Sequence, residues 1–148
     1  MQNLNFDEGY KEFSINNDES RVIRFNPSDY GLLNRFSDAR KAIIKAVEDL
    51  QENIKLRPDG NPLEEFEGAA DLVRKLTGMI NEQVNYIFNS NVAQAAFGNQ
   101  SPVSTVKGKF LFEQFLDAAG PHIEKEIETE QKASQKRMQK YTGQVKGN

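Results

Sequence analysis

The chain holds a single histidine, His122, and no cysteine. A zinc centre needs three or four nitrogen, thiolate or carboxylate ligands converging on one point, so no such centre is expected. A serine hydrolase would have to recruit the same histidine. Ser101 and Ser104 lie near it in sequence, but neither stands in the strand–turn–helix setting that exposes a nucleophile. Carboxylates are abundant, at Glu48/Asp49, Glu64/Glu65/Glu67 and Glu124/Glu126/Glu128. Each group falls on a charged helical face, where full solvation is the ordinary state. Asn16-Asn17-Asp18-Glu19 lacks the glycine and the terminal glutamate of a calcium loop. Neither a Walker motif nor GxGxxG occurs. The reading is a protein that is not an enzyme and takes no metal and no cofactor, which moves attention from reactive groups to surfaces.

The densest surface signal is AAFGNQSPVSTVKGKFLFEQFLDA, residues 95–118. A polar loop punctuated by Gly98 and Pro102 precedes Phe110, Leu111, Phe112, Phe115 and Leu116. On a helix over 107–119, positions 111, 112, 115, 116 and 119 form one broad apolar face, as a third core element requires. Phe110 falls at the edge of that face, and Phe97 stands just before the Gly98 break. Both are therefore expected to be partly exposed and are the candidate partner-binding aromatics.

The remaining elements must position that face. Phe13 and Ile15, then Ile23 and Phe25, alternate with polar residues around the turn formers at 16–20, which predicts a β-hairpin over about 10–26. Asn26-Pro27-Ser28-Asp29 closes it and offers Ser28 or Asp29 as a helix N-cap. A helix over 29–56 follows, with Phe36, Ala39, Ile43, Val47, Leu50 and Ile54 in one stripe. RPDGNP at 57–62 is a turn. A second helix over 63–89 carries Phe66, Ala69, Val73, Leu76, Ile80, Val84 and Ile87, and its Gly68 and Gly78 either weaken it or allow close helix contact. Short connection makes the two helices an antiparallel pair. A helical turn over 92–97 and the loop 99–105 precede the aromatic helix. Gly120-Pro121 is expected to end that helix and to open a separate C-terminal one. From Glu124 onward acidic residues come first and basic ones later, in the order that suits a helix dipole, and the apolar stripe stops at Ile127. The sequence thus predicts a mainly α fold: an N-terminal β-hairpin, a long antiparallel helix pair, a third packed helix and a charged C-terminal helix. Residues 1–130 form one domain, and 131–148 a projecting or flexible tail that frays after about Tyr141.

At 148 residues the chain can bury roughly 68–70% of its unfolded surface, enough for a core without staples. A net charge of −3 disfavours a nucleic-acid partner. No stretch approaches the roughly 18 apolar residues of a membrane span, and the first residues lack the basic and apolar regions of a secretory signal.

The order of the pieces resembles a known family. VIRFNPSDYGLLNRF at 22–36, FGNQS at 97–101 and the run from FLFEQFLDAAGPHIEKEI to QKASQKRMQKY at 110–141 are similar to the small tail assembly chaperone-like proteins of siphophages and prophages of Gram-positive bacteria, and the likeness covers most of the chain. The resemblance implies a helical protein of the host cytoplasm that coats the tape measure protein and keeps it soluble while tube subunits polymerise. In some members a frameshifted longer form recruits the tail tube protein. The partners implied by the resemblance are the tape measure protein and the tail tube protein; the reading adds self-association and, from charge and hydropathy, expects no nucleic acid and no membrane. Arg137 and Tyr141, within the last matching piece, join Phe97 and Phe110 as candidate partner-binding residues. A structural virion component, such as a tail connector or tail-completion protein, is the alternative, followed by a small phage regulator or inhibitor binding a host protein.

Overall fold

The computed structural model describes residues 1–55 and 62–146, with side-chain surroundings outside 51, 53–67 and 144–146. Two strands open the chain, β1 (Lys11–Ile15) and β2 (Asp18–Phe25). They pair antiparallel with Phe13 opposite Ile23, and an irregularity in register falls between Ser14 and Ile15. The turn is tighter than expected. Asn16 and Asn17 alone span it, with φ of 52° and 60°. Two consecutive left-handed residues suit the twist of a hairpin, and asparagine tolerates that conformation better than most. Asp18 then accepts from the backbone N–H and the hydroxyl of Ser20, which holds its carboxyl below the usual aspartate range.

Helices α1 (Tyr30–Lys55) and α2 (Pro62–Phe88) follow. The expected turn at 57–62 lies outside the described residues except for Pro62, which opens α2. Asp29 caps α1 by accepting the Gly31 N–H at 2.9 Å. The helices are antiparallel: Arg35 near the start of α1 donates to the carbonyl of Ile87 at the end of α2, while Leu50 lies by Leu72 and Leu76 at the other end. The predicted stripes meet here, with Ala39, Ile43, Leu76, Ile80, Val84 and Ile87 buried. Val73 departs from its stripe and is 36% exposed, because hairpin and α4 cover the pair only toward its other end. Gly78 allows no close helix contact: open space surrounds the position of a Cβ there.

A one-turn helix, α3 (Ala93–Phe97), leads into a second hairpin of β3 (Thr105–Val106) and β4 (Lys109–Phe110). The sequence reading started a helix at Lys107. Instead Lys107 and Gly108 form a two-residue turn with φ of 55° and 80°. The last helix, α4 (Leu111–Lys146), is 36 residues long and contains Pro121. The expected break at Gly120-Pro121 is absent. Proline removes one backbone donor and disfavours helix at the residue before it, costs that Gly120, with no Cβ, limits. Ala119 and Ile123 are buried on either side of the proline, and Ile127 packs on the same core. Their four-residue spacing with Phe115 keeps one register through the proline, and breaking the helix would pull that face off the core. The helix extends past Tyr141 to Lys146.

Hairpin, α1, α2, α3 and the first half of α4 enclose one core, with Phe25, Leu32, Ile80, Val84, Ile87 and Val92 at its centre. A chain of aromatic contacts crosses it, from Phe13 to Phe25, Phe88, Phe115 and Phe97, each at centroid separations of 4.7–5.8 Å. From Glu128 to Gly143 every side chain of α4 is exposed.

Candidate functional site: an apolar groove and a basic helical arm

The loop after α2 is fixed by polar side chains drawn from distant parts of the chain. Asn85 Oδ1 accepts the N–H groups of Val92 and Ala93 at 2.7 and 2.8 Å, satisfying two donors at the start of α3. Arg21 of β2 donates to the carbonyls of Ala95 and Ala96 at 2.8 and 2.7 Å, satisfying its far end. Gly98 closes α3 at φ 61°, ψ −129°, with its N–H on the Gln94 carbonyl. This arrangement turns Phe97 inward. It is 5% exposed and stands edge-on to Phe115 at 5.8 Å, so the expected partial exposure is corrected: Phe97 is a core residue.

Phe110 has a different setting. It lies on β4 rather than on a helix, half-buried, and stacks on Phe112 at 5.4 Å with the rings 13° from parallel. The N–H groups of Leu111 and Phe112 donate to the carbonyls of Ser104 and Pro102, so the start of α4 is tied to the preceding loop and the ring pair is held in place. The pair forms one wall of a groove of about 560 Å³ between α1 and α4. Phe36, Ile43, Ile87 and Leu116 line the floor, and Ile44, 47% exposed, stands on the opposite lip. Around the mouth are Glu48, Glu113 and Asp117 with one arginine, Arg40. Asp117 also pairs with Lys109, which raises the lysine's pKa. A groove with an apolar floor, an aromatic wall and a charged mouth suits an amphipathic helix, whose apolar stripe enters while its flanks meet the rim.

Arg137 and Tyr141 do not join this groove. They lie on the exposed half of α4 beside Met138, and Met138 and Tyr141 are 64% and 69% exposed. The structure therefore separates the four candidate residues into one in the core, one in the groove and two on the arm. Sequence reading missed the α1 side of the groove, Arg40, Ile44 and Glu48, because Ile44 adjoins the core position Ile43 and carries no signal of its own. It also missed Leu4 and Phe6, 85% and 75% exposed in the segment before β1.

His122 lies exposed on α4, edge-on to Phe13 at 5.5 Å beside a second, smaller groove under the first hairpin. Among the described residues no group of three histidine, aspartate or glutamate side chains could hold a metal ion, and no helix is long and apolar enough to cross a membrane. No protein-family model, curated protein or solved structure matches this chain.

Proposed function

We propose that the protein is a tail assembly chaperone of a siphophage or prophage, which binds the tape measure protein in the host cytoplasm and keeps it soluble until the tail tube forms around it. The observation that carries this reading is the groove walled by Phe110 and Phe112, with apolar floor and charged mouth. A tape measure protein presents long helices with apolar stripes, and such a helix fits a groove of this kind through apolar anchors at i, i+3, i+4 and i+7. The family resemblance of residues 22–36, 97–101 and 110–141 supplies the identity of the client. The two lines of support are independent, one being sequence order and the other local geometry.

The test is coexpression with the tape measure protein from the same genome. This chain should raise the soluble fraction of the tape measure protein and copurify with it. Mass spectrometry of purified virions should then find the chain absent. Its presence in stoichiometric amount would favour a structural tail component, and no gain in solubility would remove the chaperone reading.

A further inference from the structure

We infer that the basic half of α4 docks in the α1–α4 groove of a second copy of this chain, giving a two-fold dimer with exchanged arms. The argument begins with charge. After Glu130 the sequence contains no acidic residue but has Lys132, Lys136, Arg137, Lys140 and Lys146. The net charge of −3, less these five positive charges, leaves −8 on residues 1–130. The arm is thus a cationic helix attached to an anionic body. Among its described side chains, Met138 and Tyr141 are its exposed large apolar groups, and at a spacing of three they lie on one face of the helix. The groove offers the complement: an apolar floor with Glu48 and Glu113 at its mouth, beside Asp117, whose charge already pairs with Lys109, and Arg40 as the opposing charge among the described lining residues.

Geometry selects a second copy over the arm's own groove. Leu116 of the floor and Tyr141 of the arm belong to one uninterrupted helix. At about 1.5 Å per residue they stand roughly 37 Å apart along its axis, so the arm cannot bend back without breaking the helix. In a two-fold pair that same offset separates groove from arm in both copies, so each arm meets the partner's groove and both are filled at once. This self-pairing stands without the client reading, and on that reading the arm fills the groove until the client displaces it.

The test uses the full chain alone, by sedimentation equilibrium across a concentration series. Wild type should reach twice the chain mass, and high salt should lower the association. The arm-reversed variant Lys136→Glu/Arg137→Glu/Lys140→Glu and the groove-reversed variant Glu48→Lys/Glu113→Lys should each sediment as a monomer with wild-type helical circular dichroism. An equimolar mixture of the two should regain the dimer, because each arm then meets a groove of opposite charge. That recovery also proves both variants folded. Met138→Glu/Tyr141→Glu should be monomeric. Wild type that stays monomeric, an arm-reversed variant that still dimerises, or two monomeric variants that fail to pair when mixed would each overturn the assignment.

Discussion

Asp29 carries two tasks with one carboxylate. Oδ1 caps α1 through Gly31, and Oδ2 accepts from Arg35 at 2.8 Å while the same guanidinium reaches the Ile87 carbonyl at 3.0 Å. Hydrogen bonding to Arg35 holds its carboxyl below the ordinary 3.8. With the folded value depressed, its contribution to stability is complete above the unfolded pKa and is lost as pH falls through the folded one. Asp29→Asn should therefore be less stable than wild type at neutral pH, and the gap should narrow below about pH 4, as urea denaturation at several pH values would show. Two glycines give opposite expectations. Open space surrounds a Cβ at Gly78 inside α2, so Gly78→Ala should stabilise by about 0.5–1 kcal/mol. Gly98 holds φ 61°, ψ −129°, a region closed to other residues, so Gly98→Ala should destabilise by about 1–3 kcal/mol. Thermal melts of the two variants should move in opposite directions. At this scale the sequence was only partly informative. Gly98 was legible as a helix stop, whereas the burial of Phe97 was not, since it depends on Arg21 reaching α3 from a strand far earlier in the chain.

The long helices were legible because their apolar residues recur at three and four over many turns, a signal that survives local noise. The short hairpin β3–β4 was not, since two-residue strands carry no period and Lys107 is a poor candidate for positive φ. Gly120-Pro121 misled for a related reason. Local punctuation points to a break, but the four-residue register from Phe115 through Ala119 and Ile123 to Ile127 is continuous, and burial of that face decides the outcome. The two alternatives separate experimentally. In a continuous α4, Pro121→Ala restores a backbone donor in the helix interior and should raise stability by about 1–3 kcal/mol in chemical denaturation. If Pro121 instead opened a separate helix, its ring would be preorganised at that first position and the substitution would be neutral or harmful.

At the scale of the whole molecule, the core sits at one end, where hairpin, α3 and α4 close over the α1–α2 pair, and Leu76 lies near its limit at 6% exposure. Leu76→Ala should cost about 2–5 kcal/mol, and an unchanged melting temperature would show that the helix pair does not stabilise the core. The mainly α class, the first hairpin and the α1–α2 pair were readable from patterning alone, whereas β3–β4 and the continuity of α4 were not. The groove was not, because it is made by parts distant in sequence: β4 and α4 on one side, Ile44 and Glu48 of α1 on the other. Phe110 was singled out for its place at the edge of an assumed helix, and it lines the groove from a strand instead.

The central claim is that this groove receives an amphipathic client helix, and coexpression of the tape measure protein with Ile44→Ser/Phe110→Ser tests it most directly. Ile44 and Phe110 lie outside the buried core, so the variant should keep the wild-type helical circular dichroism and a cooperative melting transition. Loss of aromatic and apolar anchors at the lips should remove about 2 kcal/mol or more of binding, and with it most of the gain in soluble tape measure protein. A folded variant that solubilises the tape measure protein as well as wild type does would contradict the account and place the client elsewhere.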